Sequence, residues 1–351
     1  MKEYFCDILV IGAGPAGASA AQKAADAGAR VLLIDRKGVI GTPVRCAEFI
    51  PRQLLGELEC AKEFIVQPVK SMKSILPDET VIESPLPGLI INRDIFDRAL
   101  TEKAAEAGAE IWTETRALAL DNGHVLVSKN REQRKVKAGI IIGADGPNTR
   151  VGKWIGSVNR NLIPAVQARV VLREPMDSTE VYFDERYFGG YGWLFPKGDT
   201  ANAGLGMKRG SNMNNIRDSL DYFLQTLKEQ NRITGEVKDF TAGWIPAEEP
   251  RKIVKGGIML VGDAAGQTHP ITGAGVAQAV IAGRMAGEWA AEAVKKDDLG
   301  LLARYEDEWM DVYSESQERA VRQRELMESN WDNLDKIIRK CWVAFEEYYK
   351  D

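Results

Sequence analysis

The sequence is poor in the residues that hold metals and crosslinks, with four cysteines and two histidines in 351 residues. Cys6, Cys46, Cys60 and Cys341 form no C-x-x-C pair, and His124 and His269 alone cannot complete a ligand cluster around them. A zinc module, a catalytic metal centre and a disulfide framework are therefore excluded, and a reducing, cytoplasmic compartment is expected. Long hydrophobic runs are also missing: no stretch reaches the ~20 apolar residues that span a bilayer. The apolar run at 8–11 leads straight into glycines and lacks the h-region and cleavage site of a signal peptide. Nor is there an excess of positive charge. With a net charge of -5 and 28% charged residues, the chain carries no overall basic field to draw in nucleic acid or anionic lipid. Nucleic acid is excluded as a main partner, and membrane contact is expected to be peripheral and transient at most. Internal repeats and low-complexity tracts are absent.

With 44% apolar residues the chain can bury a large core, in two domains or one elaborated α/β domain. Residues 7–11 read as a short buried strand, 16–27 as an alanine-rich helix ended by Gly28, and 31–34 as a second buried strand. Strand, helix and strand within about thirty residues is the size of a right-handed βαβ unit. Between them Gly12, Gly14 and Gly17 form G-x-G-x-x-G, where backbone N–H groups and the positive end of a helix can hold a pyrophosphate. Asp35 ends the second strand, at the position from which a carboxylate accepts hydrogen bonds from an adenosine ribose, and Arg36 follows it. An NAD domain could share these features.

From 64 to 91 the pattern changes to short β-like runs separated by turn residues, and 94–107 returns to helical spacing before Gly108. Residues 140–143 form another buried strand running into Ala144-Asp145-Gly146. Alternating strands recur at 165–172, 180–184, 191–195 and 201–207, before a helix carrying Ile216, Leu220, Phe223 and Leu227 on one face. Residues 257–261 are a last strand, followed by Gly262-Asp263-Ala264-Ala265-Gly266 and a small-residue helix from Gly275 to about Val294. The expected fold is α/β: a Rossmann-like nucleotide domain, discontinuous over 1–62, 91–157 and 251–296, a β-rich substrate domain over 63–90 and 158–250, and a helical tail over 297–351. In that tail Met327, Trp331, Leu334, Ile338, Cys341, Phe345 and Tyr348 recur at spacings of three and four, and its charges nearly balance. Docking on its own body or on a partner subunit is expected.

The Asp263 segment can place a carboxylate against a ribityl hydroxyl, and Gly273, Gly275 and Val276 can present backbone N–H groups to a flavin pyrimidine edge. All three strand-to-loop fingerprints occur in the order found in flavoproteins resembling para-hydroxybenzoate hydroxylase. Two further segments, Gly41-Thr42-Pro43-Val44-Arg45-Cys46-Ala47-Glu48 and Tyr191-Gly192-Trp193-Leu194-Phe195-Pro196-Lys197, resemble the two signatures of the geranylgeranyl reductase family. The resemblance covers most of the chain through about Val294, with a short portion after it. It implies FAD as cofactor, with contacts at Ala16, Asp35, Cys46, Ala47, Arg93, Asp263, Gly275 and Val276, and a looser alignment adds Ala117. Phe49 stands where relatives usually have glycine after Cys-x-Glu, and His269 where an acidic residue often precedes the proline. Both are expected to reshape the substrate pocket.

The implied chemistry is reduction of isoprenoid double bonds. A trisubstituted alkene is electron-rich, so hydride addition requires a proton, and positive charge develops at a tertiary carbon. Tyr191 and Trp193 can stabilise that charge in a dry pocket, with Phe195 on the same strand face. Cys46, or a water held by Glu48, can supply the proton. No second G-x-G-x-x-G is present for a stably bound nicotinamide, so NAD(P)H binding transiently, a ferredoxin or a reduced deazaflavin remain as donors. An aromatic hydroxylase and a flavin electron-transfer protein without an organic substrate of its own are the other readings that the flavin fingerprints allow.

Overall fold

The computed structural model describes residues 2–60, 62–208, 215–249 and 251–350. Its chain alternates between two sheets. β1 (Glu3–Ile11), α1 (Pro15–Asp26) and β2 (Val31–Ile34) open the first, with β1 and β2 parallel and Ile8 opposite Val31. β2 is buried throughout, as strands of a parallel sheet covered on both faces must be. β3 (Phe49–Pro51), β4 (Ile65–Ile75) and β5 (Val81–Ile91) begin the second sheet, and α2 (Arg93–Glu106) and β6 (Glu110–Trp112) return to the first. β7 (Thr115–Asp121), β8 (His124–Lys129) and β9 (Glu132–Gly143) form a meander whose last strand runs beside β1 in parallel.

After α3 (Arg150–Ile155) the chain builds the rest of the second sheet: β10 (Leu162–Leu172), β11 (Ser178–Tyr182), β12 (Tyr191–Lys197), β13 (Thr200–Gly206), α4 (Ile216–Glu229) and β14 (Ile233–Pro246). β15 (Val254–Lys255), β16 (Ile258–Leu260) and α5 (Val276–Lys296) complete the first, and α6 (Ala303–Ser329) and α7 (Leu334–Cys341) form the C-terminal segment. The strand order is β15-β16-β9-β1-β2-β6 in the first sheet and β14-β10-β13-β12-β11-β4-β5-β3 in the second. β3 differs from expectation, since residues 49–51 read as part of the nucleotide domain. It joins the second sheet because Phe49 pairs with Ile90 of β5. The expected domain spans also take in residues 1, 61, 209–214, 250 and 351, which lie outside the described residues.

The second sheet is covered on both faces. Leu220, Phe223 and Leu227 of α4 pack with Leu194 and Leu205 on one side. On the other, Trp193 and Phe195 pack with Met327, Trp331, Leu334, Ile338, Cys341, Phe345 and Tyr348. All seven periodic positions of the tail are thus buried against the chain's own body. They do not lie on one helix: α6 ends at Ser329, a short 3-10 turn spans Trp331–Asn333, and α7 follows.

α1 and α5 meet backbone to backbone in the first sheet's helical layer. A Cβ on Gly283 would lie 2.2 Å from the Ala16 carbonyl oxygen, and one on Gly287 would lie 2.3 Å from that of Ala20. Both are closer than any real contact, so only glycine allows this crossing. Helix propensity and packing therefore make opposite predictions for Gly287→Ala. Propensity alone stabilises by up to about 1 kcal/mol, whereas overpacking costs about 1–3 kcal/mol. Chemical denaturation should show a net loss, and an unchanged or raised midpoint would mean that the crossing relaxes freely.

Candidate active site

The glycine-rich loop is built by close approach. Gly12, at φ 109°, has no room for a Cβ, which would lie 2.3 Å from the Ala144 carbonyl oxygen, and Gly17 would place one 1.8 Å from that of Gly12. Gly14 faces open space. No side chain caps α1, so the N–H groups of Ala16 and Gly17 have no intrahelical acceptor. Asp35 accepts from Ala13 N and Lys37 N, each at 2.8 Å, which fixes its carboxylate beside the loop. Arg36 is exposed. The Asp263 turn packs onto the same helix, a Cβ on Gly262 meeting that of Ala16 at 3.0 Å. Burial raises the Asp263 carboxyl above its usual value, opposed by a hydrogen bond from Thr268 and by the charge of Arg93. α5 likewise begins at Gly275 without a side-chain cap, leaving the N–H groups of Val276 and Ala277 free of intrahelical partners. Gly273 takes φ 65° against Ile245. Two uncapped helix starts, an open glycine face and two carboxylates fit an extended dinucleotide.

The third fingerprint and the Ala117 strand lie in the same half of the molecule. Asp145 accepts from Thr149 Oγ1 at 2.6 Å and from Arg150 N at 2.6 Å, so its carboxylate serves the start of α3. Ala117 is 6% exposed and sits at a register irregularity of β7.

The Cys46 segment is pinned by two strands of the second sheet, β10 and β13. Gln167 Nε2 donates to the Cys46 carbonyl at 3.1 Å and Asn202 Nδ2 to that of Ala47 at 3.1 Å. The thiol is half-buried and accepts from Glu48 N at 3.2 Å. It lies beside Arg93, whose guanidinium forks onto Asp97 at 3.0 and 3.2 Å. Burial works against the charge on Arg93, but Asp97 and then Cys46 outweigh it and hold the guanidinium above its usual value.

Glu48, expected to hold a water for proton transfer, is 0% exposed. Its carboxylate accepts from Arg93 N (2.9 Å), Asn202 Nδ2 (3.0 Å), Lys197 Nζ (2.5 Å) and Arg169 Nη2 (3.3 Å). Burial lowers the Lys197 ammonium, and Glu48 opposes that shift. Removing one partner from such a pair costs about 3–5 kcal/mol because it strands the other charge.

Tyr191, Trp193 and Phe195 share a face of β12. Trp193 Nε1 donates to Gln167 Oε1 at 3.0 Å, and the Tyr191 hydroxyl donates to the Thr272 carbonyl at 2.5 Å. Trp342 of the tail sits edge-on to Tyr191, with ring centres 5.0 Å apart. The Phe49 ring meets Phe195 at 6.2 Å. His269 is bound within its own loop: Nδ1 accepts from Ile271 N and Thr272 N at 3.4 and 3.3 Å, and Nε2 lies 3.5 Å from the Tyr348 hydroxyl.

The family model described as "FAD binding domain" matches residues 83–320, and "FAD dependent oxidoreductase" matches 7–146. Digeranylgeranylglycerophospholipid reductase 1 of Methanopyrus kandleri is 35% identical, over 98% of this chain and 99% of the relative. The chain belongs to the geranylgeranyl reductase family. A second relative, digeranylgeranylglycerophospholipid reductase of Methanosarcina mazei, is 37% identical over 89% of this chain and 82% of its own. The crystal structure of a geranylgeranyl bacteriochlorophyll reductase-like protein from Thermoplasma acidophilum superimposes with a TM-score of 0.89 at 29% identity, covering 98% of this chain and 93% of that one. The protein is thus an FAD-dependent, geranylgeranyl reductase-like oxidoreductase.

Its departures from the family pattern have local compensations. Phe49 fits because Gly88 faces it: a Cβ there would lie 2.1 Å from the Phe49 ring. Gln167, Asn202, Lys197 and Arg169 were not expected from sequence, although Gln167 and Asn202 are polar interruptions in otherwise apolar strands. His269 is neutral in this reductase. Burial holds its pKa down to about 4 from 6.5, so the unfolded chain takes up a proton more readily than the folded one. Its contribution is complete above about pH 6.5 and is lost as the pH falls through the window toward 4, a change of about 3 kcal/mol. Melting curves across that window should fall more steeply for the wild type than for His269→Gln. Parallel declines would place the acid sensitivity elsewhere.

Proposed function

We propose that this enzyme saturates the double bonds of isoprenoid chains carried on a glycerophospholipid, the substrate named for its archaeal relatives. The observation that carries the reading is the Gln167 bridge. One amide binds both the Cys46 carbonyl and the Trp193 indole, tying the thiol segment to the aromatic strand. Ala16, Gly17, Asp35, Asp263 and Val276 are the groups that would hold FAD, which when bound supplies the hydride.

The remaining chemistry belongs to the chain. Cys46 Sγ delivers the proton to the alkene, with the Arg93 guanidinium beside it. The faces of Tyr191 and Trp193 stabilise positive charge at the tertiary carbon. Glu48 touches none of the reacting atoms in this scheme; it positions the segment through its four donors. The C-terminal segment packs on the aromatic face of Tyr191 and Trp193 beside a cavity of about 30 Å³, so a chain that lies along the whole face has to displace part of that segment. A transiently bound nicotinamide, a ferredoxin or a reduced deazaflavin supplies the electrons.

Reduced holoenzyme incubated anaerobically with prenyl lipids should return products heavier by one hydrogen pair per double bond. Turnover in labelled oxygen should leave the product unlabelled. Incorporated label would instead establish a hydroxylase, and reoxidation with no change in any prenyl compound would favour an electron-transfer protein. Cys46→Ala should retain FAD and lose turnover by about 100-fold or more, the usual contribution of a positioned acid. A variant that works at the wild-type rate would reduce Cys46 to packing.

A further inference from the structure

A groove of about 890 Å³ lies where residues 155–161, 247–249 and 251–255 meet α6. Six basic and four acidic side chains line it, a positive excess in a chain whose net charge is -5. Part of this charge is spent internally. Arg251 pairs with Glu248 at 2.9 Å, and Glu328 bridges Lys208 and Arg324 at 2.7 and 2.9 Å. Lys255 makes one bond, to the Ile155 carbonyl at 3.3 Å. Arg160 and Lys252 are exposed, and among the described residues their charged ends have no partner. Glu249 and Glu325 are the carboxylates that oppose them.

The groove is not isolated from the aromatic strand. It shares Ala247 and Arg324 as wall residues with a cavity of about 30 Å³ that is bounded by Ile163, Tyr191, Trp193, Ile245 and Ile271. Arg324 is 5% exposed and donates to the Pro270 carbonyl at 2.8 Å and to the Gly189 carbonyl, so this partition is a built part of the fold. A cationic groove backed by an apolar cavity matches an amphiphile with a charged head and a hydrocarbon chain.

We propose that the groove binds the phosphate of a lipid headgroup, with Arg160 and Lys252 as its ligands, and so sets a preference for phosphorylated prenyl lipids. The proposal rests on the isoprenoid-reductase reading above. A soluble donor carrying phosphate groups has the same chemistry, and the assay separates the two.

FAD-loaded enzyme is reduced by dithionite, with no biological donor present. Its kcat/KM is measured on digeranylgeranylglyceryl phosphate and on uncharged digeranylgeranylglycerol in the same micelles. Wild type should prefer the phosphate. In Arg160→Gln/Lys252→Gln the ratio should fall by about tenfold or more, as expected when charge-assisted contacts to an anion are lost. The wild-type preference should also weaken with added salt. Glu325→Gln, which removes an opposing carboxylate, should move the ratio the other way. If wild type reduces both substrates without preference, or the double variant keeps the wild-type ratio, the groove is not a headgroup site and the reductase reading stands. If the double variant is impaired only when a nicotinamide dinucleotide replaces dithionite, the phosphate belongs to the donor and the proposal is overturned. If wild type reduces neither lipid, the reductase reading fails and takes this proposal with it.

Discussion

The site depends on a helix contact made without side chains. Gly283 and Gly287 let α5 rest directly on the carbonyls of Ala16 and Ala20, and Gly262 brings the Asp263 turn against the Ala16 methyl. This close crossing fixes the starts of α1 and α5 relative to each other. Both starts lack side-chain caps, so their first N–H groups remain available to a ligand, with the positive ends of two helix dipoles behind them. The uncapped ends destabilise the empty protein, and a bound dinucleotide offsets that cost.

Glu48 ties this nucleotide-binding half to the second sheet. It sits at φ 69°, a left-handed conformation that is strained for a residue with a side chain. The strain persists because every polar group of the residue is committed: N to Cys46 Sγ, O to Ile91 N, and the carboxylate to donors from α2, β10, β12 and β13. Its arrangement is over-determined, and Cys46, two residues earlier, inherits that rigidity.

The parts of this design that repeat at short range were legible in the sequence. The first βαβ unit, the Asp263 turn and the common face of Tyr191, Trp193 and Phe195 all follow from local spacing. The polar first half of β9 was not, because Glu132, Gln133, Arg134, Lys135 and Lys137 give no apolar alternation. β14 escaped for the same reason: it is an edge strand whose middle residues face outward. The side chains that hold the Glu48 carboxylate were not legible, because Arg169, Lys197 and Asn202 lie about 120 to 150 positions further along the chain. The tail's spacing of three and four located its buried residues correctly but concealed the break after Ser329. A turn that preserves the buried side leaves the period of the pattern intact.

The burial of β12 under the tail bears on how the chain is made. β12 is synthesised well before α7, yet Trp193 and Phe195 have no finished cover until Ile338, Cys341 and Trp342 emerge. On the ribosome the second sheet therefore passes through a stage in which its strands are paired and its aromatic face is wet, a surface that favours association between nascent chains. Completion of that core waits for residues 338–348, which makes their docking a checkpoint for the second sheet.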